Sequence, residues 1–205
     1  MKVRLVDLLL LAALIAGVSF YFTHWLEVAG WAKVVWKGSG VGLLSAWAFA
    51  RGRPWIGLVL GLGALGDVLL ETMGLTIGAV AFLVGHVLAV SFYWRSRRLA
   101  AAVPVGIALA VSVVSFLLSG DIGVAFYGLG VGAMAGAAVA SSYRLAGVGA
   151  VSFLLSDLLI FAKMGPLSAS DVPGLVIWPT YFAGQALIAW SVVRSERREN
   201  LHDRI

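Results

Sequence analysis

The sequence predicts an all-α polytopic membrane protein with eight transmembrane helices. Three observations carry that expectation. Of the 205 residues, 61% are hydrophobic and 12% charged, with a mean hydropathy of +0.98. A soluble domain is about half apolar and a quarter charged. The apolar residues fall into runs of the about 20 that a bilayer crossing requires. Finally, the cations cluster in every second loop.

Read along the chain, the spans lie at 5–23, 32–50, 55–73, 75–94, 99–118, 121–141, 145–163 and 174–193. The opening MKVRLVDLLLLAALIAG resembles a signal peptide, with a basic start and an apolar run. Asp7 inside that run and seven further spans behind it argue against cleavage. Lys2 and Arg4 precede span 1, Arg51 and Arg53 separate spans 2 and 3, and Arg95, Arg97 and Arg98 follow span 4. Arg144 follows span 6, and Arg194, Arg197, Arg198 and Arg204 follow span 8. With eight spans these twelve cations share one side, so the positive-inside rule makes both termini cytoplasmic. The opposite loops carry Glu27, Asp121 and Asp171, with Lys33 and Lys163 near span ends. Trp25, Trp31, Trp55, Trp94 and Trp178 fall near span ends, where aromatic belts form. Pro104 and Pro179 interrupt spans 5 and 8. The expectation is one transmembrane domain over 1–205, with a cytoplasmic tail at 194–205.

The net charge of +5 is a topology signal, so no nucleic-acid partner is expected. The chain has no cysteine and only His24, His86 and His202, which leaves no Cys-based metal site and no disulfides. No cofactor is expected.

The second half echoes the first at an offset of ninety. Lys37-Gly-Ser-Gly-Val-Gly42 aligns with Tyr127-Gly-Leu-Gly-Val-Gly132, Gly57 with Gly147, and Gly66-Asp67-Val-Leu69 with Ser156-Asp157-Leu-Leu159. After a longer loop, Gly85-His86-Val-Leu88 resembles Gly184-Gln185-Ala-Leu187. Four spans per unit, about 1–98 and 99–193, give two units of the same orientation, the parallel kind of repeat.

Depth turns the repeat into a candidate site. Asp67 lies twelve residues past Trp55, and Asp157 twelve past Leu145, so both sit about 18 Å from the cytoplasmic end. Lys37, six residues past Trp31, is about 9 Å deep from the other side. In a core about 30 Å thick the three share one level. His86 and Gln185 lie nearer the midplane. Charged residues inside spans face the bundle interior and mark a site or pathway; the alternative is a pair of structural acids neutralised by Lys37 or held protonated. Glu71, one turn above Asp67 on the same face, reads as an accessory or an interfacial acid. Tyr127 can donate a hydrogen bond to an aspartate, and Gln185 can serve as interhelical glue. The Gly128, Gly132, Gly136 row is a close-packing device, not a phosphate loop.

These motifs are similar to those of the YhhN family, multi-span membrane proteins that include the lysoplasmalogenases. The resemblance rests on Gly66-Asp67-Val-Leu-Leu70, Phe82-Leu-Val-Gly85-His86, Tyr127 with Met134, Phe153-Leu-Leu-Ser156-Asp157 and Tyr181-Phe-Ala-Gly-Gln185. Lys37 resembles the family lysine in span 2. The chain departs at Gly38, where the family has a proline, and at Ala89, where a tyrosine is common. The resemblance implies a hydrolase for the vinyl ether bond of a lysoplasmalogen, a lysophospholipid, releasing a fatty aldehyde and a glycerophospho-ethanolamine or -choline. Asp67 and Asp157 are then the catalytic carboxyls, and Lys37, Glu71, His86, Tyr127 and Gln185 bind substrate or support them.

The chemistry suits paired carboxyls. A vinyl ether breaks when an acid protonates its β-carbon, and water captures the oxocarbenium ion that results. One carboxyl donates while another activates water, as in glycoside hydrolysis. An unpaired carboxyl in a low-dielectric layer favours its protonated form, and no metal is required. Which aspartate is acid and which base stays open at this level. The competing readings are a carrier of a small solute or lipid, suggested by the parallel repeat, and a non-catalytic scaffold. A bacterial plasma membrane is the expected location.

Overall fold

The computed structural model describes the backbone of residues 2–202 and the side-chain surroundings of residues 6–195. The described residues fold as eight α-helices: α1 (Lys2–Phe20), α2 (Gly30–Ala50), α3 (Pro54–Met73), α4 (Leu75–Trp94), α5 (Ala102–Ser119), α6 (Ile122–Ala140), α7 (Arg144–Met164) and α8 (Val172–His202). A 3-10 turn at Tyr21–His24 extends α1. Among the described residues, seven helices are long and apolar enough to cross a membrane. The eighth, α2, has the length but carries Lys33, Lys37, Ser39 and Ser45, and so falls short in composition.

Helix ends follow from local chemistry. Pro54 occupies the first turn of α3, where its missing N–H costs nothing. Gly74 alone joins α3 to α4 with φ +88°, a conformation that disfavours any side chain. Gly120 ends α5 in the left-handed region, and Asp121 caps α6 by accepting from Gly123 N and Val124 N at 2.6 and 3.1 Å. Pro104 lies in the first turn of α5, so it opens that helix; the expected interruption of span 5 does not occur. Pro179 does sit inside α8. Past residue 193, α8 runs on to His202 without a break, because the stretch there contains no helix-stopping residue.

Sequential helices pack as neighbours except α4 and α5, and contacts of α4 with α6, α2 with α8 and α5 with α7 help to close the bundle. Glycines set the closest approaches. A Cβ on Gly149 would lie 2.6 Å from the Gly184 carbonyl, and one on Gly184 would lie 2.6 Å from that of Gly149. Gly128, Gly132 and Gly136 meet Ser115, Val111 and Pro104 in turn, seating α6 on α5. Gly57 faces Phe49, and Gly147 faces Val139, ninety residues further on in both partners.

The two ends of the bundle differ in charge. At one end Arg51 pairs with Asp7 and lies over Trp47. Arg95 lies over Trp55 at 5.4 Å, Arg97 over Trp94 at 4.3 Å and Arg194 over Trp190 at 3.9 Å. There the α4–α5 and α6–α7 loops also pair, Arg98 N donating to Ala140 O at 2.7 Å and Ser142 N to Ser96 O at 3.0 Å. The side chains of Lys2, Arg4, Arg197 and Arg198, and all of Arg204, lie outside the described residues. The opposite end carries Lys33 and Glu71, which pair at 3.4 Å, together with Asp121.

Replacing Gly184 by Val forces α7 and α8 apart and is expected to cost about 1–3 kcal/mol. Gly106→Ala has open space around it and should cost nothing. Thermal unfolding followed by tryptophan fluorescence in detergent separates the two.

Candidate active site

Each aspartate finds its hydrogen-bond donor on another helix. Asp67 of α3 is 2% exposed. Its Oδ2 accepts from the hydroxyl of Tyr181, on α8, at 2.7 Å. Gln185, one turn along α8, donates from Nε2 to the Tyr181 oxygen at 3.4 Å. Asp157 of α7 is buried, and its Oδ2 accepts from Tyr127 of α6 at 3.0 Å. The Tyr127 oxygen also lies 3.1 Å from His86 Nε2, on α4. A phenol has one proton to give. While Tyr127 donates to Asp157, Nε2 of His86 must be the donor to Tyr127, which leaves Nδ1 as the free acceptor. When the carboxyl carries a proton, the same chain runs in reverse, carboxyl to phenol to imidazole.

Two rings join these networks. Phe82 lies 6.0 Å from both Tyr181 and Phe153, and it stacks on His86 at 6.5 Å. Phe153 is 5.3 Å from His86 and from Tyr181. Gly66 makes this possible, since a Cβ there would stand 2.6 Å from the Phe82 ring. The glycine beside Asp67 is therefore the seat of a ring that packs on Tyr181, the donor to Asp67.

Lys37 donates from Nζ to Glu71 Oε1 at 2.8 Å, and Lys33 reaches the other Glu71 oxygen. The hydrogen bonds of Asp67 and Asp157 go to tyrosines, not to Lys37. Glu71, one turn beyond Asp67, is the acid that takes the lysine. Of the seven residues singled out from sequence, His86, Tyr127 and Asp157 form one chain, Asp67 and Gln185 share Tyr181, and Lys37 and Glu71 form a separate pair nearer the rim. Tyr181 was missed as a site residue. Its signal was its place one turn before Gln185, in a stretch where an aromatic reads as packing. Phe82 and Phe153 were missed for the same reason.

Beside Asp157 the bundle opens. A cleft of about 380 Å³ lies between α4 on one side and α6 and α7 on the other, within the size range of small-molecule sites. Leu70, Leu83, Phe126, Ile160 and Phe161 give it apolar walls, Tyr127 and Asp157 line it, and Asp121 lies at its outer part. Phe126 and Val80 on its walls are 65% and 55% exposed, so the cleft is continuous with the apolar surface that faces lipid. Asp67 does not line it. A second, smaller space of about 20 Å³ lies within the core, lined by His86, Gln185, Tyr93 and Phe82 among others.

Comparison with known proteins adds one finding. No curated protein and no solved structure gives a match. The model of the YhhN family matches residues 32–192, a stretch that holds every residue of both aspartate networks and the whole wall of the cleft. The chain belongs to the YhhN family.

Proposed function

We propose that this protein is a membrane-embedded lipid hydrolase that cleaves the vinyl ether of a lysoplasmalogen to a fatty aldehyde and a glycerophospho-alcohol. The observation that carries this reading is the apolar cleft that ends on the Tyr127–Asp157 pair. A single-chain lipid has the shape for it, and a proton-handling carboxyl stands where the bond would lie. The carrier reading would need a path across the bundle, and the buried Phe82 and part-buried Tyr127 side chains form part of the wall of this cleft.

Asp157 is the carboxyl that meets substrate. In its acid form it gives its proton to the β-carbon of the vinyl ether, leaving an oxocarbenium ion at the α-carbon and a carboxylate on Asp157. Water adds to the α-carbon and passes a proton to that carboxylate. The hemiacetal then collapses: its C–O bond to the glycerol breaks, its hydroxyl proton goes to the departing oxygen, and the aldehyde is left. One group thus serves as acid and then base, as carboxyls do in retaining glycosidases. Tyr127 and His86 hold Asp157 and carry protons along their chain. Asp67 is a positioning residue that fixes Tyr181 and, through it, Phe82 and Phe153. Lys33, Lys37 and Glu71 form a charged rim for the headgroup.

The same reading includes α2 as an eighth span, two parallel units of four helices, and the arginine-rich end in the cytoplasm of a bacterial plasma membrane. Matching contacts support the repeat. The Lys37–Glu71 pair occupies the positions that Tyr127 and Phe161 hold ninety residues later, their rings 5.9 Å apart. The α4–α6 contact likewise answers α8–α2.

Fatty aldehyde release from a vinyl-ether lysolipid by purified protein tests the proposal, with an ester-linked lysolipid alongside. Aldehyde from the first and no fatty acid from the second is expected; the converse overturns the reading. Asp157→Asn is expected to lower release about 10²–10⁴-fold, the usual worth of a general acid, while Asp67→Asn loses about tenfold or less through repositioning. Equal losses in both variants would remove the division of roles. Ala79→Phe places a ring in the cleft and is expected to raise KM at least about tenfold with an unchanged melting temperature.

A further inference from the structure

The cleft that would receive a lipid is apolar, yet hydrolysis consumes water. A space within the core is fit to supply it. We propose that the chamber of about 20 Å³ behind Phe82 is an internal water site, and that its occupant is the water which captures the substrate carbon. The catalytic role of that water rests on the lipid-hydrolase reading; the hydration of the chamber does not.

Size and polarity both point to water. A buried water needs about 10–15 Å³ of such volume and two to four polar partners. The lining supplies three. Tyr93 is 0% exposed, and its hydroxyl has no hydrogen-bond partner among the described residues. His86 spends Nε2 on Tyr127 and keeps Nδ1. Gln185 spends its Nε2 on Tyr181 and keeps the amide oxygen. An apolar cavity of this size stays dry, but one bordered by a phenol, an imidazole and an amide offers water the bonds it would otherwise lose. Glycine keeps the space open on the α3 side, where a Cβ on Gly63 would stand 2.9 Å from Gln185 Nε2.

The position of the chamber is as telling as its lining. His86 borders the chamber and also touches the Tyr127–Asp157 chain. Phe82 borders both the chamber and the cleft. One aromatic ring therefore separates the water site from the lipid site, and one imidazole connects the water site to the catalytic carboxyl. A water held there is kept from the hydrocarbon side until substrate is in place. It also has a proton route to Asp157 through His86 and Tyr127.

X-ray radiolytic labelling of the full chain in nanodiscs tests this, because the hydroxyl radicals form from water in place and oxidise only what that water touches. Met134 lines the chamber and is 3% exposed; Met164, 45% exposed, is the internal standard. Met134 is expected to be oxidised at no less than about a tenth of the Met164 rate. Ala89→Val, which extends a chamber wall inward, should lower that rate at least fivefold, and so should Tyr93→Phe, which keeps the shape and removes the hydroxyl. A lower wild-type rate, or one that neither variant changes, overturns the water site. Aldehyde release is followed on the same samples. Oxidised Met134 without aldehyde overturns the hydrolase reading and leaves the water site standing; aldehyde with unlabelled Met134 overturns the water site alone. With both in hand, Ala89→Val is expected to lose at least tenfold in aldehyde release at an unchanged melting temperature.

Discussion

A carboxyl carried into hydrocarbon must find its hydrogen-bond donors inside the protein, because the bilayer offers none. Much of this bundle follows from meeting that demand twice. Asp67 draws a tyrosine from α8 and Asp157 one from α6. Each bond ties a helix of one half to a partner that must stand at the right depth and rotation. The glycines then let the backbones come close enough for phenol and carboxyl to meet. At Gly66 even a methyl group would collide with the Phe82 ring beside the acid. Removing one phenol would leave a buried carboxyl unsatisfied, at a cost of about 1–3 kcal/mol, so the tyrosines are structural before they are anything else.

Helices α1 and α5 are used differently, and that difference leaves room for the cleft. In the first half α1 lies against α2 and reaches α8. Trp178 donates from Nε1 to Gly17 O at 2.7 Å, and the Phe182 ring fills the space that a side chain at Gly17 would take. In the second half α5 lies on α6 and turns to α7, away from α4. The groove that α1 covers on one side is left uncovered on the other. An otherwise paired arrangement of acids thereby acquires one closed member, Asp67, and one open member, Asp157.

Much of the fold was legible. Hydropathy located every helix, with bounds within a few residues except at the end of α8, which runs on to His202, and arginines marked the ends of the runs because a guanidinium stays in the headgroup layer. Among the described residues α2 falls short of the other helices as an apolar span, yet it folds as a full-length helix, and its Lys33 and Lys37 pair with Glu71. The site was legible where one residue type has one use in lipid: a carboxyl at midspan marks an interior, and Tyr127 was read as its donor. Lys37 was expected near an aspartate on grounds of depth alone. Lys37 does act on Asp67 through its charge, while its hydrogen bond goes to Glu71, one turn further on. Tyr181 belonged to a quoted motif but was not singled out as a site residue, because a phenol among tryptophan and phenylalanine looks like packing. The cleft had no sequence signature, since it depends on which way α5 leans.

The arginine–tryptophan pairs at one end bear on selectivity through distance. Guanidinium groups seated on indole rings belong at the membrane–water boundary, so they hold the bundle at a set height, as a waterline does a hull. Asp157 then has a fixed elevation in the bilayer. A lipid likewise floats at a height set by its own headgroup, and its bonds lie at fixed steps below. Under the hydrolase reading proposed above, chemistry selects the vinyl ether and the fixed elevation of the carboxyl decides whether that bond lies within its reach. On that reading, membrane thickness joins bond chemistry in setting which lipids are cleaved.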